Sequence, residues 1–129
     1  MRRAVELMPE APEVAAKLRA LEAKAPSALD RANELREKGN AAMAASDLAT
    51  ARACYTEALS LSLPGEERAK ILGNRAALYM ASSEPQLART DAQEAAALLP
   101  TGKAHYRLGA ACEACGDVHA AIASMRRAV

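Results

Sequence analysis

The chain has 129 residues and is 51% hydrophobic, yet it contains no Phe, no Trp and only three Tyr. Alanine supplies most of the apolar content, which suits closely packed helices and not a sheet, so we expect an all-α fold. The formal net charge of +1 gives no general attraction to nucleic acid or membranes. Three cysteines, an odd number, argue against a disulfide framework and favour a reducing, cytoplasmic environment.

The first 26 residues are predicted to form a separate N-terminal segment. A helix is expected from Pro12 to Ala25, because its apolar residues recur at helical spacing. Those residues are Val14, Leu18 and Leu21. Pro26 ends this helix, and Ser27 is suited to cap the next one. We expect the short break at Pro26–Leu29 to keep the helix close to the residues that follow.

From residue 32 onward the same pattern of small residues returns three times. The first helix of each copy carries a small residue where a partner helix can cross closely. These residues are Gly39, Ala76 and Gly109. The second helix carries a matching alanine, at Ala51, Ala88 and Ala121. Capping or helix-breaking residues separate the two helices of each copy, at Ser46–Asp47, Ser82–Pro85 and Gly116–Asp117.

This pattern resembles the tetratricopeptide repeat, a helix–turn–helix unit of about 34 residues. The resemblance implies a right-handed superhelix of three units within residues 27–129, with an extra N-terminal helix. The units lie at about 32–68, 69–101 and 102–129. Stacked units share one continuous core and leave a concave groove lined by their first helices.

Three departures from strict periodicity are predicted to have small effects. About three extra residues near Pro64–Arg68 and one missing after Pro100 are expected to fall in turns, where length changes are tolerated. Ala92 stands where the family usually has an aromatic residue. This substitution should loosen the packing between the second and third units without changing the fold.

Polar and basic side chains recur at one phase of the first helices. Arg36 and Asn40 are four residues apart, as are Lys103 and Arg107, so each pair shares a helix face. Asn74 lies at the equivalent phase of the second unit. We expect these three cations and two amides to converge in the groove and to bind carboxylates by charge-assisted hydrogen bonds. The alternative is a solvated helix face, with Asn40 serving only for packing.

These five residues resemble the two-carboxylate clamp of co-chaperone tetratricopeptide domains. The resemblance implies that the groove binds the C-terminal Glu-Glu-Val-Asp tails of the seventy- and ninety-kilodalton heat-shock chaperones. It implies that Asn40, Asn74 and Lys103 hold the terminal Asp and its main-chain carboxylate. Arg36 would sit beside them, and Arg107 would lie nearer the upstream peptide.

The resulting prediction is an interaction adaptor that has no enzymatic activity and needs no cofactor. Met43 and Ala77, one turn along the same faces, are weaker candidates for a pocket that accepts an apolar side chain. No catalytic or metal-binding residues are predicted. Cys112–Cys115 has no second Cys pair or His pair to complete a metal site, and His105 is expected at the surface. The alternative function is a scaffold for another partner or for self-association.

Self-association is suggested by an internal duplication. Met1–Val5 is identical to Met125–Val129, so the N-terminal segment resembles the end of a unit followed by a capping helix. The alternative is chance in a chain rich in Ala and Arg. An exposed end of the third unit needs a cover. We therefore expect a neighbouring chain to supply it, by head-to-tail association or by exchange of the N-terminal helix.

Overall fold

A computed structural model describes residues 11–24 and 27–129, and this part of the chain is helical without any strand. Its seven helices are α1 (Ala11–Lys24), α2 (Ala28–Ala44), α3 (Leu48–Leu59), α4 (Gly65–Ala81), α5 (Pro85–Leu98), α6 (Gly102–Ala114) and α7 (Val118–Ala128). Residues 1–10 and 25–26 lie outside the described part. The first copy of the duplicated pentapeptide, Met1–Val5, is among them.

Short polar side chains start four of these helices. The Ser27 hydroxyl accepts a hydrogen bond from the Asp30 backbone N–H at 3.1 Å, which confirms the predicted cap of α2. Asp47, Thr101 and Asp117 accept equivalent bonds at the starts of α3, α6 and α7. Each cap satisfies a backbone donor that the first helical turn leaves unpaired. The starts of these four helices therefore follow directly from the sequence.

The helices from α2 onward form three pairs, α2 with α3, α4 with α5, and α6 with α7, stacked in chain order. The predicted small residues lie at the crossings. A Cβ atom added to Gly39 would lie 2.5 Å from Cε1 of Tyr55, and one added to Gly109 would lie 3.0 Å from Met125. Ala76 occupies the corresponding buried position in the middle pair. The small residues thus allow the helix axes to approach closely.

The second pair is also held together by a buried ion pair. Arg75 of α4 donates two hydrogen bonds to the Asp91 carboxylate of α5, at 2.6 Å and 2.9 Å. The Asp91 side chain is 7% exposed. A bidentate guanidinium–carboxylate pair has defined geometry as well as charge attraction, so it fixes the relative position of the two helices.

The extra residues near Pro64–Arg68 were predicted to lie in a turn, and this is only partly correct. The connection ends at Pro64, and α4 already begins at Gly65, so most of the extra residues form the first turn of this helix. Glu66 and Glu67 lie there, where acidic side chains interact favourably with the helix dipole. The insertion therefore lengthens α4 at its start.

Helix α1 lies apart from the three pairs. None of its described residues is buried, and it makes no packing contact with the other six described helices. Its apolar stripe of Val14, Leu18 and Leu21 is about half exposed to solvent. The prediction of a helix with this stripe is correct, but the expected contact with the first unit is not formed.

Candidate functional site

The first helices of the three pairs surround a cavity of about 230 Å³. Four of the five predicted carboxylate-binding residues line it: Arg36 from α2, Asn74 from α4, and Lys103 and Arg107 from α6. Its apolar part is formed by residues of α4, α5 and the connection after α5. These include Ala69, Ala92, Ala95 and Leu99. The cavity therefore combines a basic rim with an apolar floor.

Asn40 joins this group through hydrogen bonds to its side-chain oxygen. Asn74 Nδ2 donates to Asn40 Oδ1 at 3.2 Å, and the Tyr55 hydroxyl donates to the same oxygen. Burial raises the pKa of Tyr55, so its hydroxyl stays protonated at neutral pH and remains a donor. Since two donors occupy the Asn40 oxygen, the exposed Asn40 amide presents its N–H groups. This orientation suits an anion.

Tyr55 is a site-supporting residue that sequence reasoning missed. Its ring packs over Gly39, which places the hydroxyl beside Asn40, one residue further along α2. The available signal was chemical, because a buried tyrosine hydroxyl needs a hydrogen-bond partner.

Arg107 crosses the cavity and lies against Gly73 of α4. A Cβ atom at Gly73 would come within 2.5 Å of Arg107 Nη1, so the missing side chain makes room for the guanidinium. Burial lowers the pKa of Arg107, although an arginine remains charged at neutral pH. No acidic residue in the described part of the chain pairs with it. A partly desolvated cation is thus left available for an anion.

Arg36 and Lys103 likewise have no acidic partner within residues 11–24 and 27–129. Arg36 makes a long contact of 3.4 Å to the Asn33 side-chain oxygen, and Lys103 is exposed. By contrast, Lys70 on the rim of the same cavity lies 3.5 Å from Glu67. The unpaired cations around the cavity are therefore the three that the sequence selected.

The two residues predicted for an apolar pocket are not among those lining this cavity. Ala77 lies in a neighbouring apolar depression with Tyr106, Met80 and Ala110, and Met43 packs partly buried against the core. The cavity floor provides apolar surface instead. It exists because Ala92 is small, whereas the corresponding positions of the other units carry Tyr55 and Met125.

The prediction that His105 lies at the surface is wrong. Its side chain is half-buried, and Nδ1 is buried without a hydrogen-bond partner. His105 is four residues before Gly109 on α6, so it shares the face that packs on α7.

In the part of the chain that the structure describes, no three His, Cys, Asp or Glu side chains come together as a possible metal site. Cys54, Cys112 and Cys115 are free thiols, and burial raises the pKa of Cys112, which favours its uncharged form. Among the described helices, none has both the length and the apolar character required to cross a membrane.

No protein-family model matches the chain, but solved structures do. The tetratricopeptide-repeat (TPR) domain of Sgt2 from Aspergillus fumigatus is 35% identical, with a TM-score of 0.71, over 81% of this chain and 66% of that one. The first TPR of Spaghetti (RPAP3), bound to the HSP90 peptide SRMEEVD, is 29% identical, with a TM-score of 0.69, over 76% of this chain and 78% of that one.

The first TPR domain of human RPAP3 is 28% identical, with a TM-score of 0.68, over 75% of each chain. These similarities confirm the predicted all-α superhelix of three repeat units. The chain belongs to the tetratricopeptide-repeat family.

Proposed function

We propose that the groove binds the acidic C-terminal tail of heat-shock chaperones and that the chain acts as an adaptor without catalysis. One observation carries this proposal. Three cations with no acidic partner in the described chain surround a single cavity, next to the Asn40 amide, whose N–H groups are presented as donors. An anionic ligand would complete the hydrogen bonding of these groups.

The positions suggest a role for each residue. Lys103 and the amides of Asn40 and Asn74 would hold the terminal Asp and its main-chain carboxylate. Arg36, which lines the same cavity from α2, would sit beside them. Arg107, which reaches across the cavity, would contact the upstream acidic residues.

The apolar floor offers a place for one apolar side chain of the tail. Ala92, Ala95 and Leu99 form this floor, and burial of an apolar side chain against them would add affinity that does not depend on salt. Met43 and Ala77, the residues predicted for an apolar pocket, lie outside this floor, although Ala77 shares a neighbouring depression with Arg107. The tail would thus be held by charge at its end and by packing nearby.

The complex of the first Spaghetti TPR with the HSP90 peptide SRMEEVD supports the same ligand class for this chain. That domain shares the fold at 29% identity. Tails of the seventy-kilodalton chaperones end in the same acidic motif by the family resemblance, so we include them as ligands. The alternative, a scaffold for a different partner, predicts no requirement for a free terminal carboxylate.

The decisive experiment compares the peptide SRMEEVD with its C-terminally amidated form by isothermal titration calorimetry. Amidation removes one carboxylate that accepts charge-assisted hydrogen bonds worth about 1.5–3 kcal/mol, so we expect affinity to fall at least about tenfold. Binding of the free acid should also weaken with added salt. Equal affinity for the two peptides would contradict the proposal.

A pair of lysine variants locates the binding site. Lys103→Ala should abolish measurable binding of the free acid. Lys38→Ala is the matched control, because Lys38 is exposed on α2 and pairs with Glu34 at 3.4 Å, away from the cavity. Circular dichroism should show unchanged helicity in both. Retained affinity in Lys103→Ala would exclude this groove as the site.

A further inference from the structure

Two apolar helix faces have no partner in the described part of the chain. The first is the outer face of α7, where a depression of about 360 Å³ is lined by Val118, Ile122, Met125 and Val129. The second is the stripe of α1 described above. Both faces belong to helices at the ends of the described fold. Exposed apolar surfaces of this kind mark interaction sites.

The two faces have matching spacing. On α1 the apolar residues fall at positions i, i+4 and i+7 (Val14, Leu18, Leu21), and on α7 Val118, Ile122 and Met125 repeat the same intervals. Stripes with this period pack side by side along two nearly aligned helices. At 1.5 Å per residue the α1 stripe is about 10 Å long and the α7 stripe about 16 Å. The shorter stripe therefore fits within the longer one.

Charged residues at the edges of the stripes favour one orientation. Glu13 and Lys17 flank the α1 stripe. Glu113 borders the α7 face near its start, and Arg126 borders it near its end. An antiparallel arrangement brings Glu13 beside Arg126. A parallel arrangement brings Glu13 towards Glu113 instead, which is unfavourable because both side chains are acidic.

The duplicated pentapeptide supports the same arrangement independently. Met125–Val129 forms the end of the α7 face, and Met1–Val5 precedes α1 by five residues. In sequence, α1 therefore comes a short distance after a copy of the segment that ends α7. A helix that follows another after so short a connection packs antiparallel to it, so α1 has the sequence context of a helix suited to the end of α7.

The α1 helix cannot reach this face in its own chain. Lys24 and Ala28 are four residues apart, so they are separated by at most about 15 Å. Leu21, at the nearer end of the α1 stripe, is about 5 Å further along the helix, so it lies at most about 20 Å from Ala28. The second helix pair lies between α2 and α7, and α2 packs only on α3 and α4. With helices spaced about 8–10 Å apart, the outer face of α7 is at least about 25 Å from the start of α2.

We infer that α1 of one copy packs antiparallel on the outer face of α7 of a second copy, so that the chains associate head to tail. Because the two contact surfaces differ, each copy can cover one neighbour and be covered by another. The contact is smaller than the roughly 1,200–2,000 Å² of a standard stable interface. Association is therefore weak and concentration-dependent. It leaves the basic groove open.

The first test is the mass in solution over about a hundredfold range of concentration, by sedimentation or light scattering. The unmodified chain should pass from monomer to dimer and larger species. Leu18→Lys and Ile122→Lys should each abolish this growth. Both residues are largely exposed, so neither substitution should unfold the chain. Leu87→Lys, at an exposed leucine of α5, is the matched control and should associate normally.

Mixing the two variants tests whether each contact joins α1 of one copy to α7 of another. Leu18→Lys lacks a working α1 stripe but keeps the α7 face, and Ile122→Lys has the opposite defect. An equal mixture should form a one-to-one dimer and nothing larger, because only one productive contact remains. Glu13→Lys should weaken association, and Arg126→Glu in the same chain should restore it.

A chain that stays monomeric throughout, or growth that persists in Leu18→Lys, would overturn the inference. So would a mixture of the two variants that fails to dimerise. None of these outcomes bears on tail binding, which is read separately by peptide titration.

Discussion

Arg75 and Arg107 are two half-buried arginines on first helices of neighbouring units, and they have opposite surroundings. Arg75 donates two hydrogen bonds to Asp91 and lies 5.5 Å from the centre of the Tyr79 ring. Hydrogen bonding to Asp91 raises its pKa. Arg107 lies against Gly73 with no acidic partner in the described chain, and burial lowers its pKa.

This difference separates a cation that holds the fold from one that is available to a ligand. In the Arg75–Asp91 pair each charge is neutralised inside the protein. The pair therefore links α4 to α5, and the Arg75 charge is not available to bind a ligand. The charge of Arg107 is desolvated without internal compensation, which destabilises the free protein slightly. An acidic peptide would remove that penalty. Neither conclusion follows from residue type, since both residues are arginines at helical positions.

The largest effect on stability is expected at Arg75, the arginine that is paired with Asp91. Arg75→Ala leaves the Asp91 carboxylate buried without its partner, and breaking such a pair costs about 3–5 kcal/mol. We therefore expect urea denaturation to show a loss of about 3 kcal/mol, with the peptide SRMEEVD still bound by the fraction that remains folded.

The control for this prediction removes both charges. Arg75→Met combined with Asp91→Leu should recover most of the lost stability, because no unpaired charge remains in the interior. A double variant as unstable as Arg75→Ala would show that packing, and not the ion pair, is responsible.

Two glycine-to-alanine substitutions should change stability by an intermediate amount, and they test the same comparison. In Gly39→Ala the new methyl group meets the buried Tyr55 ring at 2.5 Å, so we expect a loss of about 1–3 kcal/mol from overpacking. In Gly73→Ala it meets only the end of the flexible Arg107 side chain, which can move. This variant should gain about 0.5–1 kcal/mol from the better helix propensity of alanine.

The more stable of these two variants, Gly73→Ala, should be the one that binds the tail more weakly. Gly73→Ala displaces the Arg107 guanidinium from its position across the cavity and should weaken the binding of SRMEEVD although the protein is more stable. Thermal unfolding and calorimetry on the same samples provide the two readouts. If Gly73→Ala leaves the affinity for the peptide unchanged, the position of Arg107 against α4 does not contribute to tail binding.

The sequence was sufficient for the fold because repetition constrains it. Small residues at Gly39, Ala76 and Gly109 and polar residues at the turns recur in three units, so each unit supports the interpretation of the others. The same repetition fixed the helical phase of the five predicted groove residues, four of which line the cavity while the fifth is hydrogen-bonded beside it.

The features that the sequence did not reveal depend on contacts between helices. Such contacts leave no periodic pattern within one helix. The bond from Tyr55 to Asn40 requires the crossing of α2 and α3. The cavity requires two small residues from different helices, Gly73 of α4 and Ala92 of α5, to line it together. Gly73 was nevertheless a usable signal, because a glycine inside a helix costs about 1 kcal/mol relative to alanine and usually has a packing reason.

The smallest effect on stability is expected at Arg107 itself, and it tests the comparison most directly. Arg107→Met keeps an apolar side chain of similar length and removes a partly desolvated charge that has no internal partner. Stability should therefore stay within about 0.5 kcal/mol of the unmodified chain or rise slightly.

Tail affinity should nevertheless fall about tenfold in Arg107→Met, which corresponds to about 1.4 kcal/mol, and its salt dependence should become shallower. Arg107→Lys is the informative companion, because a lysine keeps the charge but lacks the planar guanidinium. Partial recovery in Arg107→Lys would assign the interaction mainly to charge, whereas no recovery would assign it to bidentate geometry. A stability loss in Arg107→Met as large as that of Arg75→Ala would show that both arginines hold the fold, and the distinction between them would fail.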